Sequence, residues 1–150
     1  MKLQVKKLRE DAIIPTRGSE KSSGLDLYAV EDVTIYPGTT VLVKTGIAFG
    51  IPEGYEIQVR PRSGLSLKTT LMVKNSPGTV DQDYTGECGV IMHSLLMHDI
   101  FGIGNPPVLV KRGDRIAQAV LCPVVIPELV EVDELGLTER GSGGFGSTGE

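Results

Sequence analysis

An all-β fold, an antiparallel sandwich, jelly roll or barrel with one short helix and a flexible tail, is what this sequence predicts. Two observations carry that expectation. Nineteen glycines and nine prolines interrupt the 150 residues so often that the longest stretch free of both is residues 1–14, which leaves little room for helices of ordinary length. The segments between these breakers are rich in β-branched and aromatic residues and alternate in part, the pattern of half-buried strands. Many short strands separated by turn signals belong to layered or closed antiparallel sheets.

Taken in order, VTIYPGTTVLVKTGIAFGIP (33–52) and GYEIQVRPRSG (54–64) both read as strands. LSLKTTLMV, Leu65–Val73, lacks breakers and is the place for the short helix. CGVIMHSLLMHDIFGIGNP (88–106) is long and apolar, and holds Met92, Met97, His93 and His98. It reads as a strand, a longer connection and a second strand, packed into the core or a subunit contact. A metal site from its two histidines is the sharper alternative, but their spacing with no Cys or Glu alongside supports it weakly and it is set aside. PVLVKRGDRIAQAVLCPVVIP (107–127) reads as strand again. With no internal repeat and no linker, the chain divides only into a β-domain, 1–138, and a tail, 139–150. That tail, ERGSGGFGSTGE, has five glycines in twelve residues, and glycine loses more backbone freedom on ordering than any other residue. Yet it carries Arg140, Phe145, Ser147 and Thr148, which a bland spacer would not need.

The bulk numbers exclude several classes. The chain is long enough for one domain with a proper core. A net charge of −4 argues against a nucleic-acid binder, which normally shows a basic face. No apolar run approaches the ~18 residues of a membrane span. MKLQVKKLRED opens with lysines but no apolar run follows, so no secretory signal is expected. Cys88 and Cys122 have no CxxC or zinc spacing and read as free thiols of a reducing compartment. A cytoplasmic protein is expected, or a nuclear or host-cytoplasmic one if the source is viral.

The chemistry sits in short polar clusters beside turns. There is no GxxxxGK[ST] phosphate loop, no GxSxG elbow and no zinc-deaminase pattern. What remains is SSGLDLYA (22–29), PRSGLSLK (61–68), NSPGTVDQDYTGE (75–87), RGDRIAQ (112–118) and the tail. Each alone has a plain explanation: Ser63 as a helix cap, SPGT as a turn using Gly78, Asp114–Arg115 as a surface ion pair. Together they supply Arg62, Arg115 and Arg140, the hydroxyls of Ser63, Ser147 and Thr148, and Gln118. Guanidinium forks match phosphate geometry, so this set suits a polyphosphate. Asp26, Asp81 and Asp83 stand beside them. A carboxylate near a polyphosphate is repelled unless a divalent cation intervenes or the carboxylate works as a base. The residues therefore point to a metal–nucleotide site with a candidate general base, and leave the nucleobase open.

In this order the five clusters resemble the five motifs of the trimeric dUTPases, from Gly24 to Gly149, with NSPGTVDQDYTG and RGSGGFGSTG the most specific. The resemblance implies a jelly-roll homotrimer with sites at its subunit interfaces. One subunit would bring the first, second and fourth motifs, a neighbour the third, and another the tail. It implies hydrolysis of dUTP to dUMP and pyrophosphate, which keeps uracil out of DNA and supplies dUMP for dTMP synthesis. Asp81 would activate the attacking water. Asn75, Gly78, Thr79, Val80 and Tyr84 would hold base and sugar, with Phe145 stacked on uracil. Arg62, Ser63, Gly64, Gln118, Arg140, Gly146, Ser147 and Thr148 would bind phosphates. Asp26, Asp83, Asp114 and Arg115 would support them. Mg²⁺ would ride on the triphosphate and water without direct protein ligands, Asp26 reaching it at most through water. The tail would be a lid that opens and closes over a neighbour's site. Ser23 stands where the family often has Ala, and Thr85 where Arg is frequent. The Tyr84–Gly113 segment is longer and more apolar than usual, which leaves the local register and trimer contacts open and makes 88–106 a candidate surface for another protein. Two rivals are weighed. One is a dCTP deaminase of the same fold, which needs a working glutamate, Glu87 being the nearest. The other is a regulatory protein that has kept the nucleotide site.

Overall fold

A computed structural model describes residues 1–97 and 104–144. Twelve strands and one helix follow one another: β1 (Gln4–Lys7), β2 (Thr16–Arg17), β3 (Gly24–Tyr28), β4 (Val33–Ile35), β5 (Thr40–Val43), β6 (Ile47–Gly50), β7 (Tyr55–Arg60), α1 (Ser63–Lys68), β8 (Leu71–Val73), β9 (Gly78–Val80), β10 (Val90–Ser94), β11 (Val108–Val110) and β12 (Arg115–Pro123). Every strand pairing among the described residues is antiparallel. The largest sheet runs β2-β3-β12-β7-β9, beside a three-stranded sheet β5-β10-β8 and the pairs β1-β6 and β4-β11. The all-β expectation with one short helix holds.

One hydrophobic core joins these sheets, with Leu27, Ile35, Val43, Ile47, Ile57, Met92 and Ile116 at its fully buried centre. They come from different sheets, as a strand that buries one face must meet another layer. Among the described residues two polar ones enter the core, and both are bonded. The Thr45 hydroxyl donates to the Cys88 carbonyl at 2.6 Å, and the Ser94 and Thr70 hydroxyls lie 2.9 Å apart. Burying them unbonded would cost ~1–3 kcal/mol each. Both cysteines are free. Burial pushes the Cys88 thiol up to about 12, with a smaller push from the Glu87 carboxylate.

The helix differs from the expectation at both ends. Leu71–Val73 is a strand that pairs with β10, because its buried–exposed–buried alternation fits a sheet face. The helix stops when the Thr69 N–H and hydroxyl both turn back to the Leu65 carbonyl. At the other end Arg62, not Ser63, holds the cap position in extended backbone, and no side chain caps the helix. Ser63 is the first helical residue. In the 88–106 segment β10 gives the first strand, and residues 98–103, with His98, lie outside the described residues. The next strand, β11, starts only at Val108.

Candidate active site

The large sheet builds one cleft from the first, second and fourth clusters. Gly24 and Asp26 alternate along β3, so both face the same side of the sheet. On β12 Arg115 and Gln118 are three apart and would face opposite sides of a regular strand. The register shifts between Arg115, opposite Tyr28, and Ala117, opposite Leu27. That one-residue bulge tucks both Ile116 and Ala117 into the core and turns Arg115 and Gln118 to one face. The loop after β7 adds Arg62, and the first turn of α1 adds Ser63 and Gly64. These residues, with Gly18 and Ser22, line a cleft of about 200 Å³.

A carboxylate organises this cleft. Asp26 accepts from Arg62 Nε through Oδ1 at 2.7 Å and from Arg115 Nη1 through Oδ2 at 3.3 Å. Arg62 Nη1 also donates to the Arg115 carbonyl at 3.2 Å. One acid held by two guanidinium groups leaves a net positive charge and spare N–H donors, the electrostatics an anion needs. Gln118 is held too: its Nε2 donates to the Pro61 carbonyl at 2.9 Å. Its side chain fills the space where a Cβ on Gly24 would stand. Asp114 shapes the turn before β12. Its carboxylate accepts the Lys111 N–H at 2.8 Å, and Gly113 takes the positive φ of 86° that the turn requires.

A second cleft, about 230 Å³, is built by the third cluster: Asn75, Gly78, Thr79 and Tyr84, walled by Leu42, Val59, Glu87, Gly89 and Ile91. β9 forms its floor and is an edge strand, paired only with β7. One row of its backbone donors and acceptors thus lacks a strand partner among the described residues. The Ser76–Pro77 peptide before it is cis. Gly78 leaves room for the Asn75 amide, which would lie 3.0 Å from an added Cβ. Val80 instead packs against the core. A turn carries the chain onward, the Tyr84 N–H donating to the Asp81 carbonyl at 3.1 Å. Asp81 and Asp83 are exposed and line a different groove, with Tyr55, Glu56, Gln82, Val124 and Ile126. Among the described residues no three His, Cys, Asp or Glu side chains converge as a metal site.

Among the described residues the two clefts share no lining residue. The first, second and fourth clusters stand together and the third stands apart, which is the division that interface sites require.

A protein-family model described as dUTPase matches residues 10–149. The chain belongs to the dUTPase family.

Curated relatives agree over the full length. The chain is 50% identical over 150 residues to the deoxyuridine 5'-triphosphate nucleotidohydrolase of Nautilia profundicola, covering 100% of both chains. It is 53% identical to the one from a Hydrogenobaculum species, covering 99% of each. Among solved structures it superposes on a variant of the Staphylococcus bacteriophage 80alpha dUTPase with dUpNHpp, with a TM-score of 0.87, 31% identity and 99% coverage of each chain. The phage phi11 dUTPase of S. aureus, described for its species-specific insert, gives a TM-score of 0.78 at 31% identity, over 90% of this chain and 98% of that one.

In this dUTPase-family chain the structure gathers Asp26, Arg62, Ser63, Gly64, Arg115 and Gln118 in one cleft, and Asn75, Gly78, Thr79 and Tyr84 in the other. It keeps Asp81 and Asp83 outside both. Arg140 lies in neither: its Nε donates to the Gly143 carbonyl at 2.7 Å in a turn of the tail. Phe145, Gly146, Ser147 and Thr148 lie outside the described residues. Sequence reasoning named neither Gly18 nor Ser22 as a site residue of the arginine cleft. Ser22 opens the first cluster, and its hydroxyl accepts the Ser19 N–H at 2.9 Å. Leu42 and Ile91 of the hairpin pocket were missed as well, and Glu87 was weighed only as the glutamate a deaminase would need. Leu42 and Ile91 are cross-strand partners, and only the register of β5 on β10 brings them to the pocket. No helix among the described residues is long and apolar enough to cross a membrane.

Proposed function

We propose that this chain hydrolyses dUTP to dUMP and pyrophosphate in sites shared between copies, the hairpin pocket of one copy facing the arginine cleft of the next. The division of the first four clusters between two separate clefts is the observation that carries this reading. A homotrimer supplies three such sites. Exposed apolar side chains on the outer face of the β5-β10-β8 sheet, Leu42, Met72 and Ile91, and along the arm after β12, from Val125 to Leu137, are surface that a neighbouring copy would bury.

In this reading the open edge of β9 and the Asn75 amide pair with the uracil edge. Cytosine presents the opposite donor–acceptor pattern there and would leave buried polar groups unpaired, a mismatch that discriminates strongly. Tyr84 packs on the deoxyribose. Asp81, at the start of the Tyr84 turn, takes a proton from a water whose oxygen bonds to the α-phosphorus, while the bond from that phosphorus to the bridging oxygen breaks and pyrophosphate leaves. Arg62, Ser63, Gly64 and Gln118 of the neighbouring copy hold the phosphates, with Arg115 and Asp26 fixing the Arg62 fork. Arg140, Phe145, Gly146, Ser147 and Thr148 close over the site as the lid, 139–150, of the β-domain 1–138.

The dUTPase family uses Mg²⁺, and a phi11 dUTPase variant is described with a structural Mg(II) ion. Here both Asp26 oxygens engage arginines, so the fit is to Mg²⁺ carried on phosphate oxygens and water. When bound, the ion neutralises charge on the triphosphate and the leaving pyrophosphate. The deaminase reading loses its glutamate: Glu87 Oε1 accepts the Gly46 N–H at 2.7 Å and braces the β5–β6 turn.

Pyrophosphate release with Mg²⁺ from dUTP, dCTP, dTTP and UTP tests the proposal, with Asp81→Asn as control. Release from dUTP alone is expected, with a fall of ~10² to 10⁴ in the variant. Full turnover by Asp81→Asn would remove Asp81 as the base.

A further inference from the structure

Tyr84 rests on a residue that contributes no side chain. Its phenol donates to the Glu87 carbonyl at 3.1 Å. Gly86 lies under the same end of the ring: a Cβ there would stand 2.5 Å from the phenol oxygen, 2.6 Å from Cζ and 3.0 Å from Cε2. Gly86 is not among the glycines with positive φ, so its backbone does not demand glycine. The ring does. The carbonyl that receives the phenol is itself anchored. The Glu87 carboxylate holds the Gly46 N–H, and the Cys88 N–H donates to the Ile47 carbonyl at 2.7 Å.

We infer that Gly86 is a specificity-determining residue of this site: its bare Cα lets the Tyr84 ring lie down onto Glu87, and that pose sets the wall which refuses a 2′-hydroxyl. This rests on the reading of Tyr84 as the sugar wall. Tyr84 is half exposed (47%), so its ring has open space to move into. A methyl group at position 86 therefore displaces the ring sooner than the backbone, and fold and specificity separate in the experiment.

Wild type, Gly86→Ala, Tyr84→Ala and Tyr84→Phe are compared for kcat and KM with dUTP and UTP. Gly86→Ala is expected to keep its melting temperature and most of its kcat with dUTP. Its KM for dUTP rises, and the dUTP-to-UTP ratio of kcat/KM falls about tenfold to a hundredfold, the size of a lost shape contact. Tyr84→Ala falls at least as far, and Tyr84→Phe, which keeps the ring without its tether, lies between. If Gly86→Ala keeps the wild-type ratio while Tyr84→Ala loses it, the inference about Gly86 fails and the reading of Tyr84 stands. If Tyr84→Ala also keeps the ratio, both fail. Should Gly86→Ala fold poorly, Tyr84→Phe decides: an unchanged ratio overturns the tethered pose.

Discussion

Replacing Asp26 by Asn tests the organisation of the arginine cleft most directly. The Asp26 side chain is 13% exposed and Arg62 24%, against 52% for Arg115. The two arms of the clamp therefore contribute unequally. A charge-assisted hydrogen bond contributes ~1.5–3 kcal/mol, and solvent reaching Arg62 holds that arm near the lower end. The half-exposed Arg115 arm falls within the surface range of ~0–1 kcal/mol. Asparagine keeps an oxygen for one guanidinium but turns an N–H₂ group towards the other, so the loss is expected at ~2 kcal/mol. For a chain of this length that is a fall of roughly 4–8 °C in melting temperature. The Arg62 fork loses its orientation at the same time, and KM for dUTP should rise about tenfold. A double-mutant cycle of Asp26→Asn with Arg62→Ala isolates the pair and should give a coupling of ~1–2 kcal/mol. Coupling indistinguishable from zero, with KM unchanged in Asp26→Asn, would refute the clamp.

Three other outcomes follow from the same geometry. A chain ending at Thr138 should fold and keep its oligomeric mass by light scattering but lose most turnover; unchanged turnover removes the lid. Gly24→Ala puts a methyl group onto the Gln118 side chain, with even the Gln118 Cβ at 3.1 Å; overpacking of ~1–3 kcal/mol and a weaker KM are expected, measured by melting and steady-state kinetics. The Cys88 thiol, pushed up to about 12 from 9.0, contributes stability that is full below pH 9 and is lost as pH rises towards 12, since the unfolded chain ionises first; melting curves from pH 8 to 11 should decline less steeply in Cys88→Ala.

The strands were legible because breakers and β-branched runs are local signals. The arginine cleft was legible only as a list of residue types. RGDRIAQ shows Arg115 and Gln118 at a spacing that puts them on opposite faces of a regular strand, and only the bulge against β3 brings them together. A bulge depends on the partner strand, so a single sequence does not display it. Arg62 at the helix cap is a similar case: the sequence offers Ser63 as the better capping residue, yet the Asp26 carboxylate from another strand takes hold of Arg62. The need for glycine at position 86 appears only once the Tyr84 ring is seen above it.

The edge strand β9 joins these points. A sheet edge normally invites pairing with another chain, and proteins blunt it by shortness and interruption. β9 has three residues, with Pro77 before it and a turn directly after, so it is a poor template for a further strand. That leaves its backbone row available to a partner of matching donors and acceptors and of small size, which a nucleobase is. The same shortness explains why Asp81 stands where it does. The strand ends at Val80 and the 81–84 turn begins at once, so Asp81, the base in the proposed reaction, is fixed within one turn of the edge proposed to read the substrate.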